Sequence, residues 1–183
     1  MKEIRLHGIG GQGTVKAGEM LVVATVLDGN SGNSIPFFGF ERQGAPVTSF
    51  VRLDKQLIRP KNQVYNPNCV VVMDATVMNS RDVFEGIQED TYLIINTDAE
   101  SVEELDLPEN VKHVAMVDGM KIALDIIKRP LPNTVMLAAF SRLTGWISED
   151  SMRKVVAEQF GRSNEEAFNE GLNQVKIYHM EQN

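Results

Sequence analysis

Residues 3–14 read Glu3-Ile4-Arg5-Leu6-His7-Gly8-Ile9-Gly10-Gly11-Gln12-Gly13-Thr14, a short apolar strand that passes through a glycine-dense turn straight into a helix. No other feature constrains the fold as strongly. The strand covers about Glu3–His7. The helix runs from about Thr14 to Leu27, with Ala17, Met20, Leu21, Ala24 and Leu27 on one face, and Asp28-Gly29-Asn30 stops it. Gly8, Gly10 and Gly13 satisfy the G-x-G-x-x-G spacing in its proper strand–turn–helix context. Glycine permits a positive φ and lets a ligand approach the backbone, and the N–H groups at the helix start suit phosphate. The alternative is that the glycines only build a tight turn. A nicotinamide dinucleotide site needs an acid closing the second strand. Asp28 has about that offset, but it stands at the helix end, and the next extended segment, Ile35–Phe38, has none.

Beyond the turn, strand-like and helix-like segments alternate, which favours an α/β layer architecture. Val47–Leu53 alternates as a strand does. Val70–Met73 and Tyr92–Ile95 are apolar runs of the kind that form buried parallel strands, and Val111–Val117 is a weaker third. The last third is helical. Gly119–Lys128 repeats apolar residues at Ile122, Ala123, Ile126 and Ile127, and Pro132-Asn133 opens a helix with Asn133 as N-cap. The body of that helix, Val135–Phe140, is apolar nearly all round and so should be buried. Ser148 caps a further helix, and Ser163 with Glu166 forms a capping-box pattern before a final one carrying Ala167, Leu172 and Val175. The expected fold is a Rossmann-like α/β domain spanning residues 1–183, with a mostly parallel sheet, helices on both faces and a helical C-terminal layer.

Cysteine usage bounds the chemistry. The one cysteine, Cys69, heads a strand and reads as a small buried residue. One thiol cannot hold an iron–sulfur cluster, which usually takes four thiolates. His7, His113 and His179 are far apart in sequence and give no metal-ligand spacing. The net charge of −7 argues against nucleic acid, yet residues 1–65 carry eight Lys/Arg against five Asp/Glu, a balance compatible with a small anionic ligand there. No run approaches the ~20 apolar residues of a membrane helix, and the N-terminus lacks a signal-peptide pattern, so a cytoplasmic protein is expected.

A second constellation, Phe37-Phe38-Gly39-Phe40-Glu41-Arg42-Gln43-Gly44-Ala45-Pro46-Val47, mixes aromatics, a Glu-Arg pair and a Gly-Ala-Pro turn. Arg42 can clamp a phosphate or carboxylate, or pair with Glu41. The Phe side chains can face adenine, another subunit or the core. Taken in order with the glycine turn, with Gly39–Arg52 and with Val70-Val71-Val72-Met73-Asp74, the chain resembles the γ subunit of pyruvate and related 2-oxoacid:ferredoxin oxidoreductases. The similarity covers nearly the whole chain. It departs at Phe40 and Gln43, where many γ subunits carry proline and arginine.

The resemblance implies a complex that oxidatively decarboxylates a 2-oxoacid on thiamine diphosphate with magnesium. Such a complex passes electrons through iron–sulfur clusters to ferredoxin and the acyl group to coenzyme A. Its α, β and δ subunits would carry the cofactors, and the γ piece would lie near coenzyme A without redox centres or catalytic residues of its own. The expected ligand contacts are Gly8, Gly10, Gly11, Gln12, Gly13 and Thr14, with Arg42 and Gly44. Pyruvate or a branched-chain 2-oxoacid is the expected substrate. Polar residues at the strand ends, His7, Asp74, Thr76, Asn96, Thr97 and Asp118, should cluster on one edge of the sheet. Three other readings stay open. One is an assembly subunit with a vestigial nucleotide fold and an interface at Phe37, Phe38 and Phe40. Another is the small subunit of an indolepyruvate ferredoxin oxidoreductase. The third is an independent NAD enzyme, for which His7 is the nearest acid–base group.

Overall fold

The computed structural model describes residues 1–37 and 44–180. Its centre is a seven-stranded sheet in the order β2-β3-β1-β4-β5-β6-β7. The strands are β1 (Lys2–Ile9), β2 (Ser31–Phe37), β3 (Pro46–Asp54), β4 (Cys69–Val72), β5 (Thr91–Asn96), β6 (Val111–Val117) and β7 (Lys176–His179). Strands β1, β4, β5 and β6 run parallel, and the apolar runs of β4 and β5 suit the burial of both their faces. The pairings β1–β3, β2–β3 and β6–β7 are antiparallel, so the sheet is evenly mixed where a mostly parallel one was expected. The reason is local. Strands β2 and β3 are consecutive in the chain and pair as neighbours, and β7 follows the last helix directly.

The α-helices α1 (Thr14–Leu27), α2 (Gly119–Ile122), α3 (Asn133–Thr144), α4 (Glu149–Phe160) and α5 (Arg162–Gln174) cover one face of the sheet. On the other face, where helices were also expected, the cover is the two 3-10 turns, Ala75–Asn79 and Val102–Glu104, with their loops. Strand alternation assigns the side chains. Ile4, Leu6, Val51, Cys69, Val71, Ile94 and Ala115 meet the helices, while Val70, Val72, Leu93, Ile95, Val114 and Met116 meet the turns. Cys69 is fully buried, as expected of a strand-start packing residue.

Helix α3 lies in the middle of the helical layer, and every residue from Asn133 to Ser141 is buried, which its all-round apolarity demands. Its N-cap is Pro132, so Asn133 is the first helical residue and its side chain is free for another role. Ser148 caps α4 as expected, accepting from the Ser151 N–H. The capping box expected at Ser163 and Glu166 does not form. Gly161, at φ 79°, already caps the helix, and α5 begins at Arg162, upstream of Ser163. Helix α2 continues into a π-helical turn, Ala123–Ile127, and ends where Lys128 turns left-handed at φ 62°.

Arg52, inside the motif Gly39–Arg52, has a structural task. It is 2 % exposed, on the face away from the helices. Its guanidinium donates to Glu3 Oε1 at 2.7 Å, to the Asn62 carbonyl at 2.7 Å and to the Gln63 carbonyl at 3.0 Å. One planar fork therefore pins the loop after β3 to the start of β1. Lysine cannot reproduce the fork, so Arg52→Lys should lose roughly 3 kcal/mol, the scale of a broken buried charge contact. Urea denaturation checks the loss, and limited proteolysis should cut first between residues 55 and 68.

Candidate functional site

The glycine turn forms because side chains would not fit. A Cβ on Gly8 would lie 2.1 Å from Thr14 Oγ1 and 3.0 Å from Met73 Cβ. Gly13 is the N-cap of α1 in the left-handed region at φ 81°, and a Cβ there would come within 2.6 Å of Asn133 Nδ2. The turn thus rests on the end of β4 and on the first residue of α3. Asn133, taken from the sequence as a cap, is here a wall of the turn.

Helix α1 has no side-chain cap, so its first N–H groups are presented as donors, the arrangement that binds anions. Two of the amides expected to contact ligand are engaged elsewhere. Gly10 N–H donates to the Ala45 carbonyl at 2.8 Å, and Gln12 N–H to the Ile9 carbonyl at 3.1 Å. The first of these bonds also joins the two sequence motifs. Gly10 packs against Gly44, and Gly44 and Ala45 lie across the turn from α1. Gly8, Gly10, Gly11, Gln12, Gly13, Thr14 and Gly44 are therefore one cluster. Arg42, Phe38 and Phe40 lie outside the described residues, while Phe37 is 41 % exposed and meets Phe50 edge-on, with ring centroids 6.4 Å apart.

The strand-end polar residues gather as expected, with one exception. Asp74, Thr76, Asn96, Thr97 and Asp118 line a cleft of about 550 Å³ beyond β4, β5 and β6. Asn96 is its hinge-pin. Its amide donates to the Met73 carbonyl at 2.8 Å, and its carbonyl accepts from Gly119 N–H at 2.9 Å, tying the ends of three elements together. Gln12 reaches from the glycine turn to Asp74 Oδ2 at 2.6 Å. Burial pushes the Asp74 carboxyl up, but hydrogen bonds from Thr76 and Gln12 outweigh it and hold the group below the ordinary carboxylate range. With Asp98, Asp118 and Asp125 opposed by Lys121, the cleft is acidic and suits phosphate poorly.

Asp28 does not serve a nucleotide ribose. Its carboxylate accepts from Ser148 N–H at 2.7 Å, Ser148 Oγ at 2.7 Å and Ser151 Oγ at 2.5 Å, fastening the end of α1 to the start of α4.

The exception is His7, which points to the face away from the helices. It is 4 % exposed and lines a separate cleft of about 470 Å³ with Arg5, Thr48, Phe50 and Arg81. Arg5 Nε donates to His7 Nε2 at 3.0 Å, so the neutral ring carries its proton on Nδ1, which has no partner among the described residues. Arg5 also donates through Nη2 to the carbonyls of Val83, at 2.9 Å, and Glu85, at 2.7 Å. The sequence carried the signal for this pair, because Arg5 and His7 are two apart on a strand and must share a face. Burial, and then the charges of Arg5 and Arg81, pull the His7 pKa from 6.5 to about 3. A ring so shifted is neutral at ordinary pH.

The unfolded chain protonates His7 near pH 6.5, while the folded chain resists to about pH 3, so the stability tied to neutral His7 is complete above pH 6.5 and lost as pH falls through that window. His7→Phe should be less acid-labile than the parent by roughly 2–3 kcal/mol between pH 7 and 4.5, given about 1.4 kcal/mol per proton per pH unit. Denaturation midpoints of both proteins across that range check it.

Comparison with known proteins agrees with this geometry. Residues 3–174 match the pyruvate ferredoxin/flavodoxin oxidoreductase family. The chain is 41% identical over 186 residues to the γ subunit of the NADH-dependent phenylglyoxylate dehydrogenase of Aromatoleum evansii, covering 99% of this chain and 97% of that one. It is 39% identical to the common γ subunit of the pyruvate/ketoisovalerate oxidoreductases of Pyrococcus abyssi, over 97% and 99% of the two chains. Among solved structures, the pyruvate oxidoreductase subunit PORC of Thermotoga maritima superposes with a TM-score of 0.83 at 34% identity, over 96% of this chain and 97% of that one. The chain belongs to the pyruvate ferredoxin/flavodoxin oxidoreductase family and is a γ subunit of the 2-oxoacid oxidoreductase type.

Proposed function

We propose that this subunit borders the coenzyme A site of a 2-oxoacid:ferredoxin oxidoreductase and contributes anion contacts, while the redox chemistry takes place on partner subunits. In the assembled enzyme a 2-oxoacid loses carbon dioxide, two electrons pass to ferredoxin, and the acyl group leaves on coenzyme A. The observation that carries the reading is the junction of the two motifs, where Gly10 N–H meets the Ala45 carbonyl at 2.8 Å beside the uncapped start of α1. That junction brings Gly44, two residues beyond Arg42, next to amide donors that have no side-chain cap. Phosphate is the group such donors suit. The acidic cleft on the Asp74 side favours an approach from the Gly44 side.

The division of labour rests on the sequence. With one cysteine, buried at the head of β4, the chain lacks the thiolates of a cluster. Thiamine diphosphate, magnesium and the clusters are then held by α, β and δ partners in the cytoplasm, and residues 1–183 act as one γ-type domain. Relatives named for pyruvate/ketoisovalerate and for phenylglyoxylate place the substrate in the 2-oxoacid class, with pyruvate or a branched-chain 2-oxoacid as our reading.

A second reading, an assembly role, is favoured by apolar exposure. Phe37 on the edge strand β2, and Val23, Val26 and Leu27 on α1, are exposed. Truncating Phe37, Phe38 and Phe40 to alanine should release the subunit from its complex, and intact assembly of that variant would remove this role.

In the reconstituted complex, Arg42→Ala should raise KM for coenzyme A about tenfold or more, the scale of one charge-assisted hydrogen bond. Gly11→Val should do the same, because Gly11 sits at φ 99° and a side chain would distort the donors. KM for the 2-oxoacid should stay unchanged. Unaltered coenzyme A kinetics in both variants would overturn the assigned site.

A further inference from the structure

At the opposite end of the sheet from the glycine turn, β6 and β7 place His113 directly across from His179. Their Nδ1 atoms are 2.9 Å apart in an exposed setting. We propose that His113 and His179 form a surface site for a late first-row divalent cation, Cu2+ or Ni2+, bound by the two facing Nδ1 atoms with water completing the coordination sphere.

Two observations carry this. The first is the spacing. Metal–imidazole bonds are about 2.0–2.1 Å long, so nitrogens 2.9 Å apart subtend about 90° at a shared metal. That is the angle between neighbouring positions of a square-planar or octahedral ion, whereas tetrahedral zinc would need nitrogens about 3.3 Å apart. Without an ion one Nδ1–H donates to the other Nδ1; when that proton moves to Nε2 or to solvent and each ring rotates modestly, both Nδ1 lone pairs face a common ion.

The second is preorganisation. The His113 ring packs on Tyr92 at 4.3 Å between centroids, and Tyr92 packs on Trp146 at 5.1 Å. His179 is held by the β6–β7 ladder, which Met180 extends by donating to the Lys112 carbonyl at 2.8 Å. The strands therefore fix the distance between ligands before any ion arrives, which removes part of the ordering cost of binding.

Two nitrogen ligands make a modest site, and no group of three or more His, Cys, Asp or Glu side chains stands together there or elsewhere among the described residues.

The chain's composition makes the test clean. The only other imidazole, His7, is buried on the opposite face and already accepts from Arg5. Titrating the full chain with NiCl2 and with CuSO4, by calorimetry and by NMR of the imidazole Cε1–H signals, should give one equivalent bound. The His113 and His179 signals should be lost before that of His7, with Cu2+ tighter than Ni2+. The double variant His113→Gln/His179→Gln should bind each ion at least tenfold more weakly. His179→Ala alone, on the edge strand, should do likewise and guards against misfolding of the double variant, with circular dichroism confirming the fold of both. Unchanged affinity in folded variants, early loss of the His7 signal, or no binding by the parent chain at millimolar ion would each overturn the site.

Discussion

The strand-to-helix turn at residues 8–14 leaves no room for a side chain at two points, and the arrangement of the helical layer depends on it. Gly8 lets Thr14 and Met73 close over the end of β1, and Gly13 lets Asn133 stand against the start of α1. Because Asn133 is also the first residue of helix α3, buried from Asn133 to Ser141, the turn fixes α1 against the centre of the core and not merely against the strand before it. At its other end α1 is fastened by Asp28 to the start of α4. Both ends of the helix that offers the anion-binding donors are thus immobilised by neighbours, which preorganises those donors without any ligand present.

The same closeness limits what the turn can bind. Backbone donors are useful only if nothing in the protein already accepts from them. Here Gly10 and Gln12 are committed to Ala45 and Ile9, and Gln12 carries its side chain away to Asp74. What remains is the uncapped start of α1. Asp28, the acid with the offset expected of a dinucleotide site, has its carboxylate occupied by Ser148 and Ser151. The fold leaves the start of α1 without a side-chain cap and has put the acid at the dinucleotide-site offset to structural use.

How much of this could be read from the chain varied with the range of the interaction involved. Helix α1 and strand β6 were legible to the residue, because hydrophobic period and glycine stops are local signals. The capping role of Ser148 was legible for the same reason. The antiparallel edges were not. Strand β7 is four residues long and largely exposed, so it has too little apolar alternation to separate it from the helix before it. Asn133 shows how one residue can satisfy two readings, since a residue after proline at a helix start looks like a cap, and only the approach of Gly13 from 120 positions away gives its side chain another partner. Arg5 with His7 was legible in principle, because residues two apart in a strand share a face. The identity of the face they share depends on where β3 and residues 81–86 lie, which is tertiary information.

Charge divides the molecule in a way that composition alone hinted at. The first third is net basic and the remainder acidic. Strands β4, β5 and β6 bring Asp74, Asp98 and Asp118 to the same crevice in which parallel sheets commonly hold their ligands. That crevice is consequently a repulsive wall for phosphate. In the proposed coenzyme A reading, an anion reaching α1 meets this wall on the Asp74 flank and is left the Gly44 side. Neither the glycine turn nor the acidic cleft would choose a side alone. It is their adjacency, enforced by the Gln12–Asp74 hydrogen bond of 2.6 Å, that gives the site a direction.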